Sequence, residues 1–555
     1  MKIVYNPRDL RYIYLLGPEV HTIEAHFNKI PQYQFLPSFR GIPRPEVFIH
    51  RGKLKTGETI FYAHSGLWKN IVDFCTENKI VVEGIDNNFK YRDFDVEYED
   101  FKQYVLDWKL KYEPREYQIT AAWLILKYRQ STSQLATRAG KTLLAYIVFR
   151  YMLEKQGAKK ILMIVPNISL VKQAVGDMSE YAEFFTSETV WAKGELCESA
   201  NLTVGTFQSL VNRLDKTSKK YNSKFFNDYD VVCVDEVHTA KCKSINTILG
   251  QDFMKNVKLK FGFSGSLPEA DTIDSYICQS LIGPKVQDIR SRELMDDGYI
   301  AEAEIKQIRI HYNDRETLED YIKCGEYLCS NDVVVDKKVV LLPKEQREFT
   351  IQHQKALPMV LKIQKPLLSK EEYRDYLIDL CKATGSNLLL LEQMLVHRSK
   401  KRLDVIEKLL RSFDKNCIVF AHHTEYLNYL EKYYKEKLPE KNIYKITGAT
   451  AQKKREQIIQ ALLDNNNCIL FASYGCVGTG LTLKNIDYGI FAQSFKSQII
   501  NKQALGRGLC LAGDKTKYIL YDVIDCFPSN KLFIQGKSKV KLFNNEQIPI
   551  EIQDV

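Results

Sequence analysis

Ile161-Leu162-Met163-Ile164-Val165 is a run of five apolar residues, and Ser169 to Tyr181 follows it with an amphipathic, helical pattern. A short buried strand feeding such a helix is the repeating unit of a parallel sheet with crossover helices. The alternation extends from about residue 109 to about 305 and starts again from about 306. There Cys417–Ala421, Ile443–Ile446, Cys468–Ala472, Tyr488–Ala492 and Tyr518–Asp522 supply five further apolar runs. The stretch near 312–400 is charged, helical in period and poor in strands, so it reads as an insertion in the second lobe. The expected class is therefore α/β, with two parallel-sheet lobes spanning 109–305 and 306–527. Residues 1–108 alternate strand-like runs such as Glu46–His50 with a helical stretch from Leu67 to Lys79, the pattern of a small α+β domain. A tail, 528–555, carries Lys537, Lys539 and Lys541, and the sequence assigns it no role.

A chain of 555 residues is too long for one hydrophobic core. Its 45% hydrophobic and 27% charged residues describe a soluble globular protein, and no 18 consecutive apolar residues offer a membrane span. The opening MKIVYNPRDLRYIYLL puts Asn, Pro, Arg and Asp where a signal peptide needs apolar residues, so the expected location is intracellular, in the cytoplasm. Thirteen cysteines without a CxxC pair signal neither a disulfide framework nor a zinc site. A net charge of +10 suits a polyanionic partner, although proteins that never touch nucleic acid share it.

Two stretches carry chemistry. Ala136-Thr137-Arg138-Ala139-Gly140-Lys141-Thr142 precedes a helical run from Leu143 to Leu153. A phosphate loop needs backbone N–H groups at a helix N-terminus, a lysine for the phosphates and a hydroxyl for Mg²⁺, and Gly140, Lys141 and Thr142 supply them. The strict pattern asks for glycine where Leu135 stands, so a chance surface Gly-Lys-Thr is the competing reading. The second stretch, Val231-Val232-Cys233-Val234-Asp235-Glu236-Val237-His238, follows 94 residues after Lys141, counted to Asp235. Asp235 is placed to hold Mg²⁺ and Glu236 to position or deprotonate an attacking water. Two acids closing a strand are otherwise a solvated strand end, but their spacing after a phosphate loop favours catalysis.

These residues resemble superfamily 2 helicases. Asp235-Glu236-Val237-His238 is similar to motif II of that family, and Arg115-Glu116-Tyr117-Gln118 to the glutamine element that reads adenine. Ile164-Val165-Pro166-Asn167 and Val204-Gly205-Thr206-Phe207-Gln208 resemble motifs Ia and Ib, which touch the nucleic-acid backbone. Ser264-Gly265-Ser266 resembles motif III, Ser473 to Gly480 motif V, and Gln503-Ala504-Leu505-Gly506-Arg507 motif VI. With the phosphate loop, eight elements stand in the family's order. The resemblance implies two RecA-like lobes with ATP and Mg²⁺ between them. In this reading Lys141, Asp235, Glu236, Gln503 and Arg507 are catalytic. Arg115, Gln118, Ala139, Gly140, Lys141, Thr142, Gly478 and Gly480 bind ATP, and Thr142 and Asp235 hold Mg²⁺. Pro166, Asn167, Thr206, Gln208 and Thr479 contact nucleic acid, while His238, Ser264 and Ser266 couple hydrolysis to movement.

Within the superfamily, Phe261–Leu267, Phe471–Gly475 and Tyr521–Asp525 resemble the UvsW-type helicases of T-even phages, which remodel branched DNA. Pro37-Ser38-Phe39-Arg40 and Trp68–Cys75 resemble that family's small N-terminal domain, implying a DNA-contacting appendage. The insertion departs from it, since Val340–Lys344 and Leu388–Val396 resemble Swi/Snf-type translocases. The implied partner is duplex or branched DNA, bound largely without regard to sequence by a chain favoured as a monomer. An RNA helicase and a nucleic-acid-binding scaffold with a decayed ATPase are the rival readings. The second is suggested by Cys510, which stands where motif VI has a second arginine. Such an arginine is typically worth about 10³–10⁵ in rate. If motif VI opens a helix, Arg507 and position 510 share its face.

Other residues have plainer readings. Tyr33, Phe35, Phe39 and Trp68 either stack on bases or fill the N-terminal core, with core favoured. Arg40, Arg44, Arg51, Lys53 and Lys55 either meet phosphates or form a solvated face. His422 and His423 follow a strand with no third metal ligand nearby.

Overall fold

The computed structural model describes residues 1–6, 9–31, 34, 42–83, 95–182, 184–185, 187–190, 200–222, 225–241, 243–312, 393, 397, 399–474, 483, 485–493, 497–511, 515–526 and 531–555. Tyr33, Phe35, Pro37–Arg40, Gly478, Thr479, Gly480 and nearly all of the 312–400 insertion lie outside them. The chain divides into two compact units, Met1–Arg290 and Ser291–Val555.

The first unit begins with four antiparallel strands, β1 (Lys2–Tyr5), β2 (Tyr12–Leu16), β3 (Ile49–Lys53) and β4 (Thr59–His64), in the order β1-β2-β4-β3. β3 starts three residues later than the Glu46–His50 expectation. The Asn28 side-chain oxygen accepts from the Phe48 and Ile49 amides at 2.8 and 2.9 Å, so the chain is tied to a side chain before it joins the ladder. The helices Val20–Phe27 and Trp68–Glu77 bury Ile23, Phe27, Ile71 and Cys75 against this sheet. Trp68 packs against the same core. Arg51 is paired with Glu24 at 2.7 Å, and Arg44, Lys53 and Lys55 are exposed.

This core does not close on itself. Tyr276, fully buried, joins it from the helix Ile273–Ile282 of the following lobe, with Ile273 and Ile277 packed at its margin. Gly66 marks how closely the two parts approach, because a Cβ there would lie 2.0 Å from the Gln279 carbonyl oxygen. Gly66→Ala is accordingly expected to destabilise the seat of the N-terminal domain by roughly 1–3 kcal/mol, the usual effect of overpacking. Faster limited proteolysis between residues 1 and 108 is the readout, and an unchanged cleavage rate counts against the contact.

A seven-stranded, wholly parallel sheet forms the rest of the unit. Its strands are β5 (Gln130–Leu135), β6 (Ile161–Val165), β7 (Ser187–Val190), β8 (Leu202–Thr206), β9 (Val231–Asp235), β10 (Leu259–Ser264) and β11 (Lys285–Ile289), in the order β11-β5-β10-β9-β6-β8-β7. β5 is polar yet internal. Thr132 donates to the Gly283 carbonyl at 2.8 Å, and Gln134 bonds Asp288 at 3.0 Å while accepting from the Leu267 amide at 3.2 Å. Because all seven strands run the same way, Leu135, Val165, Thr206, Asp235 and Ser264 end on one edge, the edge at which open parallel sheets bind ligands.

The second unit holds another seven-stranded parallel sheet: β12 (Glu302–His311), β13 (Cys417–Ala421), β14 (Asn442–Ile446), β15 (Cys468–Ser473), β16 (Tyr488–Phe491), β17 (Lys517–Cys526) and β18 (Ile550–Asp554), ordered β14-β15-β13-β16-β17-β12-β18. Two expected boundaries move. Residues 291–305 belong here rather than to the first lobe, since β12 pairs with β17 from Glu302↔Lys517 to His311↔Cys526. The tail is also part of this unit. Its helix Lys531–Asn545 buries Leu532, Leu542 and Phe543, Lys539 forms a buried ion pair with Asp522 of β17, and β18 pairs with β12. Among the described residues, no helix is long and apolar enough to cross a membrane.

Candidate active site

The loop after β5 enters the helix Lys141–Lys155 through Gly140, at φ +71°, and Arg138 is also left-handed, at φ +74°. Glycine takes this backbone without strain, whereas a Cβ at position 140 would lie 2.2 Å from the Gln118 amide nitrogen. Gln118, 2% exposed, ties the glutamine element to this loop: its amide donates to the Ala139 and Gly140 carbonyls at 2.9 and 3.2 Å and accepts from the Arg115 amide at 2.9 Å. Tyr117 adds a hydroxyl bond to the Ala139 carbonyl at 2.8 Å and receives one from Arg115, also at 2.8 Å. Among the described residues, Lys141 Nζ makes one long contact, with the Ala136 carbonyl at 3.4 Å.

Asp235 closes β9, and Glu236 follows at φ +55°, a strained conformation for a side-chain-bearing residue. His238 Nδ1 lies 2.9 Å from Ser264 Oγ and 3.2 Å from Glu236 Oε2. Ser264 Oγ in turn donates to the Ser266 carbonyl at 2.9 Å. Burial, then the neighbouring Glu236 carboxylate, push the Asp235 pKa up, against the pull of Lys141. Burial also works to raise Glu236, but the His238 hydrogen bond and the Lys141 charge outweigh it and hold Glu236 below the usual range. A Cβ on Gly265 would lie 3.7 Å from Lys141 Nζ, so the β10 loop borders the phosphate loop. The structure thus gathers Gln118, Ala139, Gly140, Lys141, Thr142, Asp235, Glu236, His238, Ser264 and Ser266 on one sheet edge.

Asn167 and Thr206 cap helices. Asn167 Oδ1 accepts from the Leu170 amide at 3.1 Å, and Thr206 Oγ1 from the Ser209 amide at 3.3 Å. Thr206 is buried, Pro166 and Asn167 are half-buried, and Gln208 is exposed. In the second unit Gln503 and Arg507 stand one turn apart on the helix Gln498–Gly508. That helix ends before Cys510, so the expected shared face of residues 507 and 510 is not formed. Cys510 lies past the terminus, partly exposed, with its Sγ 3.5 Å from the Leu511 carbonyl. Lys515 caps this end, its buried ammonium donating to the Gly508 and Ile486 carbonyls. The His422 and His423 amides share the Gln493 side-chain oxygen at 2.9 and 3.2 Å, and among the described residues no cluster of His, Cys, Asp or Glu could hold a metal by itself.

Residues 111–268 match the family described as Type III restriction enzyme, res subunit, and residues 401–511 match the Helicase conserved C-terminal domain. The ATP-dependent DNA helicase uvsW of Enterobacteria phage T4 is 27% identical over 421 residues, covering 74% of this chain and 68% of its own. Together these matches support a superfamily 2 helicase. A second relative, the DNA 3'-5' helicase XPB of Mycobacterium tuberculosis, is 26% identical over 204 residues, 37% of this chain and 35% of its own. In fold, the helicase is similar to the ATP-dependent Type ISP restriction-modification enzyme LlaBIII bound to DNA, with a TM-score of 0.50 and 12% identity across 80% of this chain and 31% of that one.

The residues that sequence reasoning missed are those that hold the motifs in place: Tyr117 at the phosphate loop, Gln134 under the β10 loop, and Lys515 below motif VI. Tyr117 and Gln134 act across 22 and 133 residues, and Lys515 reaches both Gly508 and the more distant Ile486.

Proposed function

We propose that this helicase couples ATP·Mg²⁺ hydrolysis to movement along duplex or branched DNA, remodelling it by unwinding, branch migration or annealing. The carrying observation is the convergence of Lys141, Asp235, Glu236, His238 and Ser264 on one edge of the first sheet. The residues suit a nucleoside triphosphate. Arg138 Nε and Nη2 are buried with no hydrogen-bond partner among the described residues, a cationic group in want of an anion beside the phosphate loop. They also suit a magnesium ion, since Thr142 offers a hydroxyl and the burial-raised Asp235 a carboxylate that a cation would keep ionised. When bound, that ion neutralises phosphate charge.

Lys141 and the loop amides hold the phosphates at the helix N-terminus. Glu236, kept ionised, accepts the proton of the attacking water. His238 and Ser264 join Glu236 to the β10 loop, so a change of charge at Glu236 is felt at Ser266. Asn167 and Thr206 fix the N-termini of two helices, whose remaining amides and the exposed Gln208 suit a phosphate backbone. Gln503 and Arg507 are assigned to hydrolysis from the second lobe.

Both curated relatives are named as DNA helicases, which favours DNA over RNA. Steady-state ATP turnover of the full chain, alone and with branched DNA, linear duplex and RNA, tests the reading. Stimulation is expected to be greatest with branched DNA and to fall steeply with salt, as phosphate-dominated binding does. Equal stimulation by RNA would make the chain an RNA helicase, and absence of turnover under every condition would leave a binding scaffold. A monomer is expected in sedimentation.

A further inference from the structure

A cavity of about 220 Å³, counting its mouth, opens at the edge of the first sheet opposite Lys141, where β5 and β10 begin. Its enclosed part is about the size of one water molecule. Leu10 and Arg11 form one wall, from the N-terminal domain, and Arg129, Met254, Val257 and Lys260 form the other, from the lobe. Gln130 joins the walls by donating to Tyr5 at 2.9 Å, the Leu10 carbonyl at 3.2 Å and Ser65 at 2.6 Å.

Three cations therefore line one small space. Arg11 is committed: it is bidentate to Asp9 at 2.8 and 2.7 Å, reaches Asp252 at 3.4 Å and donates to the Gly250 carbonyl at 2.7 Å. Arg129 donates to the Val257 carbonyl at 3.1 Å. Asp252 is shared with Lys255 at 3.0 Å, so the nearby acids are already paired. His64, close by, is held neutral by burial and by the Lys260 charge, its pKa lowered to about 3. Lys260 is 7% exposed and has no hydrogen-bond partner for its ammonium among the described residues. Burial and the two arginines press its pKa down to about 7. The ammonium keeps some access to the cavity mouth, and an anion bound there relieves the cost of its burial more fully than water does.

We propose that this cavity binds a small monovalent inorganic anion of chloride's size, held by Lys260 in the field of Arg11 and Arg129, and that the anion fastens the N-terminal domain to the lobe. The small inner room favours a single compact anion over a phosphate group, most of whose oxygens would stand in the open mouth. Thermal unfolding of the full chain is followed while chloride replaces gluconate at constant ionic strength, alongside chloride-35 NMR line broadening. The wild type is expected to gain roughly 2–4 °C, saturably, and to broaden the chloride line. Lys260→Met should lose both responses, and Lys260→Arg should keep the broadening. A wild type that shows neither response overturns the site whatever the variants do, because a lone water then fills the cavity. Equal stabilisation by phosphate overturns the size selection, and an undiminished response in Lys260→Met overturns the assignment to Lys260.

Discussion

Lys141→Ala and Glu236→Gln are each expected to reduce DNA-stimulated ATP turnover below a tenth of the wild-type rate while the protein stays folded. A tenfold loss is about 1.4 kcal/mol in the barrier, well under what a phosphate-binding lysine or a water-activating carboxylate typically supplies. Neither side chain holds the fold together. Among the described residues the lysine has just its 3.4 Å contact with Ala136, and Glu236, bonded to His238 and Ser264, is replaced by an isostere that keeps those geometries open. The two variants should differ in binding. Lys141→Ala should weaken a fluorescent ATP analogue, whereas Glu236→Gln removes the base and leaves the phosphate loop intact, so its affinity should be near wild type. Turnover above a tenth in either variant, with a native circular dichroism spectrum, would count against the site as assigned.

How far the sequence could be read depended on where each element keeps its polar groups. β6, β13 and β15 are buried on both faces by apolar side chains, and their runs were legible to within a residue. β5 was not, because in Gln130-Ser131-Thr132-Ser133-Gln134 the Gln130, Thr132 and Gln134 side chains bond loops and the N-terminal domain rather than water, and the Ser131 and Ser133 hydroxyls are buried. Apolar periodicity has no signal for a strand of that kind. The tail could not be assigned a role from its residues, because Lys539 is the buried partner of Asp522, a pairing that exists only once β17 and the final helix meet. At the site, the Gly-Lys-Thr and Asp-Glu stretches were legible because loop chemistry demands those residue types at fixed places. The Gln118 bridge, the Gly66 approach and the early end of the Gln498–Gly508 helix rest on contacts between distant segments, and no local pattern announces them.

The second unit offers the largest expected effect on stability. Arg402, wholly buried on the helix Lys400–Ser412, donates to Asp525 near the end of β17, to the Ala492 carbonyl just past β16, and to the Tyr426 hydroxyl at 3.2 Å. Tyr312 donates to the same Asp525 oxygen at 2.7 Å. One cation thus joins a helix to two strand ends, in a place where water cannot take over if a partner is lost. Asp525→Ala should therefore cost about 3–5 kcal/mol, the usual consequence of stranding a buried charge. At about 2–4 °C per kcal/mol for a unit of this size, the second unit should melt roughly 10 °C or more below wild type. Because two units need not unfold together, the measurement belongs in the second one: hydrogen exchange of peptides covering β16 and β17, followed against guanidinium concentration. The double variant Arg402→Met with Asp525→Leu discriminates the cause. If the cost comes from an uncompensated charge, removing both charges should recover much of the loss, as it does where buried pairs are exchanged for apolar residues. A double variant as unstable as Asp525→Ala alone would show instead that the hydrogen bonds to Ala492 and Tyr426, rather than the ion pair, hold the helix to the sheet.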